Sequence, residues 1–299
     1  MYLSPQEVIE NYKMNCHKKC NSATEIIIGK SILAGMMIAM GAAASSVAAH
    51  NITNVGLARL AAAVVFPVGL MMVILLGAEL FTGDCLVAVG LPERKITPFQ
   101  MIRLLMLVYI GNLIGSIVLA GLVAMSGQLD YSGGLLGAYT IKIALGKVAL
   151  TPGKAVSSGI LCNILVCAAV LMAMCAKDVT GKLLVSFFVI MLFVTAGFEH
   201  CVANMYYITA GLMAKYNPVY VSVATQSFGI GAEQFELLNI HNMIVNNLIP
   251  VTIGNILGGT CFVGLPLYYL NRENVSVKEA KEVKENGQYV NDYAPSIAH

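Results

Sequence analysis

Five ionisable side chains within long apolar stretches of this 299-residue sequence qualify best as functional candidates: Lys30, Glu79, Asp84, Glu199 and His200. A charged group at membrane depth is costly and is a functional candidate by default. Lys30 lies close to the end of its stretch, where a long side chain can reach the membrane interface. The imidazole of His200 can donate a hydrogen bond or a proton near neutral pH. That chemistry suits an anion that must cross an apolar region.

Two of these residues occupy equivalent places in a repeated pattern. The strings GAE and GFE end at Glu79 and Glu199. This symmetry predicts a structural role for both carboxylates, as acceptors for the backbone N–H groups that a broken helix releases. The next residue is Leu80 in the first string and His200 in the second. That asymmetry favours substrate chemistry for the histidine.

The composition indicates an integral membrane protein. Hydrophobic residues make up 58% of the chain and charged residues only 11%, against about 25% charged residues in a soluble domain. This excludes an ordinary soluble enzyme, a disordered protein and a disulfide scaffold. The net charge of +2 is too small to indicate nucleic-acid binding.

The apolar residues fall into runs long enough to span a bilayer, which requires about 20 residues in a helix. Two runs are interrupted near the middle by GAELFTGD (77–84) and GFEHCVANM (197–205), which include the hydrogen-bonding side chains of Thr82 and Asn204. Apolar sequence resumes at once after each interruption, so we expect helices broken within the membrane. The six runs are 26–49, 57–90, 99–126, 155–176, 183–214 and 243–270.

Nearly the same string occurs in the third and sixth runs, as GNLIGSIVLAG (111–121) and GNILGGTCFVG (254–264). Small residues there let helices pack closely. The chain therefore reads as two repeats of three spans, and an odd number of crossings inverts the second. Broken helices at matching places in inverted repeats indicate a transport site at the membrane midplane. The predicted organisation is an N-terminal arm 1–24, a first repeat 25–126, a linker 127–154, a second repeat 155–270 and a tail 271–299.

Lysine and arginine predict the orientation. With the N-terminus inside, the arm, the tail and the loops on their side hold 11 of these residues and the opposite side holds five. The positive-inside rule then places both termini in the cytoplasm and the linker outside the cell membrane.

Enzyme, metal and cofactor signatures are missing. An intramembrane enzyme using Cys201 beside His200 is a weak alternative, because adjacent residues seldom form a nucleophile–base pair. Cys16, His17 and Cys20 make at most half of a metal site, with no second pair to complete it. We therefore predict no enzyme activity, no metal and no cofactor.

The strings GAELFTGD, GILCN (159–163), GFEHCVANM and NLIPVTIGN (247–255), together with Lys147-Val148, resemble the formate/nitrite transporter family. The matches run in family order from Glu25 to Leu270. The resemblance implies an all-α, six-span, aquaporin-like protomer in a homopentamer, with one anion path through each protomer.

Carried over by position, the family's pore histidine corresponds to His200 and its partner threonine to Thr82. The pore asparagines correspond to Asn163 and Asn204, and the lysine of the outer vestibule corresponds to Lys147. The resemblance also implies apolar constrictions at Phe66, Leu70, Phe81, Val166 and Phe193.

The chain departs from the formate channels at Gly83-Asp84-Cys85, where an acidic residue lies beside the anion path. The expected function is passive or proton-linked transport of a small monovalent anion: hydrosulfide, formate or nitrite. The variant loop and its cysteines favour hydrosulfide. The alternative is an aquaporin-like pore for neutral solutes, in which His200 only orders water. The expected partners are the anion, the lipid bilayer and further copies of the chain, with no nucleic acid.

Overall fold

The computed structural model describes residues 2–272, so nearly all of the predicted tail 271–299 lies outside the described residues. The described residues fold into helices joined by short turns. In chain order these are α1 Pro5–Cys20, α2 Thr24–Ala49, α3 Val55–Leu76, α4 Phe81–Gly90, α5 Pro98–Met125, α6 Leu135–Val148, α7 Pro152–Cys175, α8 Val179–Ala196, α9 Cys201–Ala214, α10 Pro218–Phe228, α11 Ala232–Leu237 and α12 Ile240–Asn271.

Within residues 2–272, six helices are long and apolar enough to cross a membrane: α2, α3, α5, α7, α8 and α12. The shorter apolar helices α4 and α9 follow α3 and α8 after a break. The order α2, α3–α4, α5 is thus repeated as α7, α8–α9, α12. This confirms the predicted six-span, all-helical fold with broken second and fifth helices.

The repeated glycine strings pack α5 against α2 and α12 against α7. A methyl group at Gly115 would overlap the carbonyl oxygen of Ile32, and one at Gly254 would overlap that of Val156. Such close approach requires residues without a side chain. These pairs form the two most extensive helix contacts of the fold and hold each repeat together.

Helices outside the repeats cover the two faces of the bundle. On one face, which we call the α1 face, Lys13 of α1 pairs with Glu93 at 2.6 Å. The opposite face, the α6 face, is covered by α6 and α10. Tyr220 of α10 packs its ring on Gly137, and its hydroxyl donates to Asp130 at 2.6 Å. Half of the predicted linker 127–154 is the helix α6.

Candidate functional site

Glycine ends both broken helices. Gly77 follows α3 with φ 65° and Gly197 follows α8 with φ 75°, a left-handed conformation that glycine adopts without strain. The chain then runs extended through Leu80 and His200 before α4 and α9 begin. The strings identified in the sequence thus mark the breaks.

One asparagine bridges the first break. The Oδ1 atom of Asn112 on α5 accepts a hydrogen bond from the Phe81 N–H at 2.9 Å. Its Nδ2 donates to the carbonyl oxygens of Ser31 at 2.7 Å and Glu79 at 3.0 Å. The amide is fully buried. It satisfies two backbone groups of the break, at Glu79 and Phe81, and ties them to the Ser31 carbonyl within α2.

Asn255 on α12 does the same at the second break. Its Oδ1 accepts from the Cys201 N–H at 2.9 Å, and its Nδ2 donates to the carbonyl oxygens of Gly159 at 2.8 Å and Glu199 at 3.0 Å. These two asparagine bridges correct the sequence analysis, which assigned the acceptor role to Glu79 and Glu199. The available signal was the asparagine in each repeated GN string, which close helix packing does not need.

The two glutamate side chains instead accept from lysines. Glu199 Oε1 accepts from Lys147 at 2.7 Å, and its Oε2 accepts from Asn204 Nδ2 at 2.7 Å. Glu79 Oε2 accepts from Lys19 of α1 at 2.5 Å. Each carboxylate is therefore a buried member of an ion pair beside a break.

Lys19 also donates to a second carboxylate, Asp84 Oδ1, at 2.5 Å. Burial lowers the pKa of Lys19, but the charges of Asp84 and Glu79 outweigh burial and leave that pKa raised. Lys30 lies farther out, 4.0 Å from Glu79, with its side chain 48% exposed, as its place near a helix end predicted. The α1 face therefore brings two carboxylates to one closely bonded lysine.

His200 and Thr82 meet between the two breaks. The histidine Nε2 and the threonine Oγ1 are 2.9 Å apart, and both side chains are buried. The Nδ1 atom accepts the Ala203 N–H at 3.1 Å and so caps α9. A backbone N–H can only donate, so Nδ1 carries no proton and the neutral ring has its proton on Nε2. His200 therefore donates to Thr82 Oγ1.

Basic side chains surround a vestibule on each side of this pair. The α6-face vestibule is a cavity of about 750 Å³ that reaches His200, and its charged lining is Arg59, Lys142, Lys147 and Glu199. The α1-face vestibule is a cavity of about 390 Å³ that reaches Leu80 and Gly83, and its charged lining is Lys18, Lys19, Lys30, Lys182, Glu79 and Asp84. In both, cations outnumber carboxylates by two.

Comparison with known proteins identifies this architecture. The family profile described as formate/nitrite transporter matches residues 6–269. The chain belongs to the formate/nitrite transporter family. It is 40% identical to the formate channel FocA of Haemophilus influenzae over 219 residues, 73% of this chain and 76% of that protein. It is 35% identical to the formate-nitrite transporter of Entamoeba histolytica, over 82% of this chain and 64% of that protein.

Solved structures agree with this assignment. A pentameric formate channel with formate bound superposes with a TM-score of 0.76 at 35% identity, covering 83% of this chain and 97% of that one. An ion channel of the same family gives a TM-score of 0.76 at 25% identity, covering 89% and 99%. Membership of a family of channels and transporters confirms the prediction that this formate/nitrite transporter is not an enzyme.

Three of the five predicted constriction residues line a vestibule. The rings of Phe66 and Phe193 meet edge to face with centroids 5.6 Å apart at the floor of the α6-face vestibule, and Leu70 lines the other. Phe81 and Val166 line neither vestibule in the described part of this transporter. Phe81 packs on the Tyr109 ring at 5.0 Å, which directs it away from both cavities.

Of the predicted polar pore residues, some line a vestibule and one does not. Asn204 lines the α6-face vestibule. Asn163 lines neither cavity, because its Nδ2 donates to the carbonyl oxygens of Thr82 at 3.1 Å and Asn255 at 2.6 Å. Lys147 lines the vestibule, but it is bonded to Glu199 and its side chain is only 19% exposed. Its positive charge therefore reaches the vestibule as part of an ion pair.

Proposed function

We propose that this chain is a passive channel for a small monovalent anion of a weak acid, with formate as the first candidate. The observation that carries the proposal is the hydrogen bond between His200 and Thr82, which lies buried between two basic vestibules. An excess of positive charge raises the local concentration of anions at a cleft. The buried pair then offers hydrogen-bond donors between the two vestibules.

The barrier between the vestibules is apolar, and stripping water from an anion there is costly. Phe66, Phe193 and Leu70 provide the apolar surface. The Nε2–H of His200 and the Thr82 hydroxyl can both turn toward an anion and replace part of its hydration. His200 does so as a neutral donor. A proton on Nδ1 would point at the Ala203 N–H, and α9 would lose the hydrogen bond that caps its N-terminus.

The position of the cysteines supports formate over hydrosulfide. The Cys85 thiol donates to the Phe81 carbonyl at 3.3 Å, and the Cys167 thiol donates to the Thr82 carbonyl at 3.3 Å. Both thiols are buried against backbone rather than lining a vestibule. They give a passing hydrosulfide no contact, whereas relatives of this chain include proteins named formate channels.

We also propose a homopentamer in the cell membrane with both termini cytoplasmic, so that the α6 face is extracellular. The likeness to a pentameric formate channel supports the assembly. The excess of lysine and arginine on the α1 side of the sequence supports the orientation.

Proteoliposome flux tests the proposal. Labelled formate, nitrite and sulfide are each measured beside glycerol, with empty liposomes and a His200→Asn protein as controls. Asparagine caps a helix well, so this variant keeps the cap of α9 while losing the imidazole. We expect formate flux that falls in the variant, with no glycerol flux. Glycerol flux without anion flux would establish the aquaporin-like alternative instead.

A further inference from the structure

Two buried side-chain atoms have no hydrogen-bond partner among the described residues: Asp84 Oδ2 and Asn204 Oδ1. The first break ends at Leu80 and the second at His200. Asp84 and Asn204 each follow four residues later, so the two positions are equivalent in the repeats. Asp84 is 1% exposed and Asn204 is fully buried. Asp84 lines the α1-face vestibule and Asn204 lines the α6-face vestibule. One acceptor therefore faces the path from each side of the barrier.

The neighbouring hydrogen bonds determine which atom of Asn204 is unpaired. Its Nδ2 donates to Glu199 Oε2 at 2.7 Å and to Asn247 Oδ1 at 2.8 Å. The amide of Asn247 donates to the Lys147 carbonyl at 2.9 Å, so the Oδ1 of Asn247 must be the acceptor. The unpaired atom of Asn204 is therefore an oxygen. At Asp84 both atoms are oxygens, and only Oδ1 is bonded, to Lys19.

An unpaired buried oxygen calls for a hydrogen-bond donor, and the formate and nitrite anions have no O–H or N–H group to offer. The protonated acid of the same anion does have one: formic and nitrous acid carry an O–H group, and hydrogen sulfide carries an S–H group. The lysines of each vestibule attract the charged form. The oxygens of Asp84 and Asn204 complement the neutral form, which crosses an apolar barrier at lower cost.

The two acceptors differ in what they can do with the proton. An amide oxygen accepts the hydrogen bond only, whereas a carboxylate can take the proton itself. Asp84 and Glu79 share one closely bonded lysine, Lys19, with Lys30 4.0 Å from Glu79. Because one close cation balances only one of the two carboxylates, the other carboxylate can bind a proton. The other ionisable side chains around Asp84 are one phenol and four thiols, which are ordinarily uncharged at neutral pH: Tyr12, Cys16 and Cys20 on α1, Cys85 on α4 and Cys167 on α7.

We propose that Asp84 is the proton acceptor of the α1-face vestibule: its Oδ2 binds the protonated acid of the transported anion and takes the proton. The O–H or S–H bond of the acid breaks, its electron pair stays on the departing anion, and the proton forms the new bond to Oδ2. In the opposite direction Asp84 returns the proton to an entering anion. Asn204 binds the acid at the other vestibule without titrating. This inference rests on the proposed anion transport for its substrate, although proton uptake by Asp84 can be measured alone.

The first test is formate flux in proteoliposomes oriented by capture of an N-terminal tag, with the pH varied on one side at a time. Asp84→Asn keeps the shape of the side chain and gives the first repeat the same residue that the second repeat has at Asn204. One pH unit changes the protonation ratio of a titrating group about tenfold. We expect the parent's flux to vary with pH on the α1 side by about tenfold between about pH 6 and pH 7, and that variation to fall below about twofold in the variant. The Asn204→Asp protein is the matched control, and its flux should gain a pH response from the α6 side.

A second measurement does not need transport. Infrared spectra of the parent as a function of pH should contain the C=O band of a protonated carboxylic acid that Asp84→Asn abolishes. Size-exclusion chromatography checks that the variant keeps the parental assembly. A parental pH profile in Asp84→Asn, or a carboxylic acid band unchanged by that substitution, would overturn the assignment. A band lost in the variant of a protein that carries none of the three anions would uphold Asp84 as the proton acceptor and overturn the proposed transport function.

Discussion

The breaks at 77–80 and 197–200 are built on one plan. In each, a left-handed glycine ends the first helix, and an asparagine of the third span binds three backbone groups. A backbone N–H of the glutamate also reaches a carbonyl of the repeat's first helix at 3.4 Å in both halves. These shared features satisfy the backbone that a break exposes within a membrane.

The side chains that face the path differ between the halves. Leu80 in the first corresponds to His200 in the second, and Asp84 corresponds to Asn204. Thr82, which accepts from His200, corresponds to Val202. The comparison separates two kinds of residue. Features that both halves share support the break, and features in only one half carry the chemistry.

Removing the asparagine bridges should have the largest effect. Asn112→Ala or Asn255→Ala deletes three buried hydrogen bonds, two of them to backbone groups of the break, at a cost of about 3 kcal/mol or more. Because both bridges have the same geometry, we expect equal losses of assembled protein by size-exclusion chromatography and equal decreases in melting temperature. Asn246→Ala is the control, since that amide makes a single 3.5 Å hydrogen bond. A loss in only one half would contradict the shared-support interpretation.

His200→Asn should have the next largest effect. The cap of α9 is retained, but the Nε2–H donor to Thr82 is lost. Removing one preorganised donor at a site of charge costs about 100-fold or more in rate. We expect a fall in formate flux of about that size with an unchanged melting temperature. Leu80→Asn, at the equivalent place, should lower flux far less, and equal losses in the two variants would contradict the functional asymmetry.

Lys19, beside the first break, should hold α1 in place through its ion pairs with Glu79 and Asp84. Burial raises the pKa of Cys20 on α1 to about 11, so its thiolate fraction at neutral pH is about 100-fold below that of an ordinary thiol. Alkylation should therefore be slow and accelerate as pH rises. Lys19→Met breaks the bonds to Glu79 and Asp84. We expect α1 to detach and Cys20 to react about tenfold faster.

Lys18→Met is the control for that experiment, because Lys18 lines the same vestibule and forms no ion pair among the described residues. Cys20 should be identified by mass spectrometry of the alkylated peptide. Lys19 itself lowers the pKa of Cys20, so its removal without detachment of α1 would slow alkylation. A rate at or below that of the parent would show that Lys19 does not hold α1.

The smallest effect belongs to the exposed charges of the α6-face vestibule. Lys142 lies 4.4 Å above the Phe228 ring and forms no salt bridge within residues 2–272. Lys142→Gln should lower anion entry about two- to threefold at low ionic strength and less at high salt, because surface charges are screened. Flux assays at two salt concentrations check this. An equal loss of flux at both salt concentrations would show that long-range attraction by Lys142 is not the cause of the loss.

Much of the fold follows from the sequence, because span length and repeated strings depend on residues close together in the chain. The breaks at 77–80 and 197–200 were predictable for that reason. The partners of Glu79 and Glu199 were not, since Lys19 and Lys147 come from α1 and α6, which lie outside the repeats. The position of Phe81 depends on its packing against Tyr109, which no local pattern encodes.

The asparagine bridges also have a consequence for how the chain is made. The Phe81 N–H needs an acceptor 31 residues later in the sequence, whereas the Cys201 N–H needs one 54 residues later. During synthesis, α4 and α9 are therefore made before the helices that complete their hydrogen bonds. Unsatisfied backbone groups in lipid are costly, so each short helix must remain in a wet or protein-lined environment until then. The delay is longer in the second half, because α10 and α11 are synthesised in between, and the sixth of the described spans completes that break.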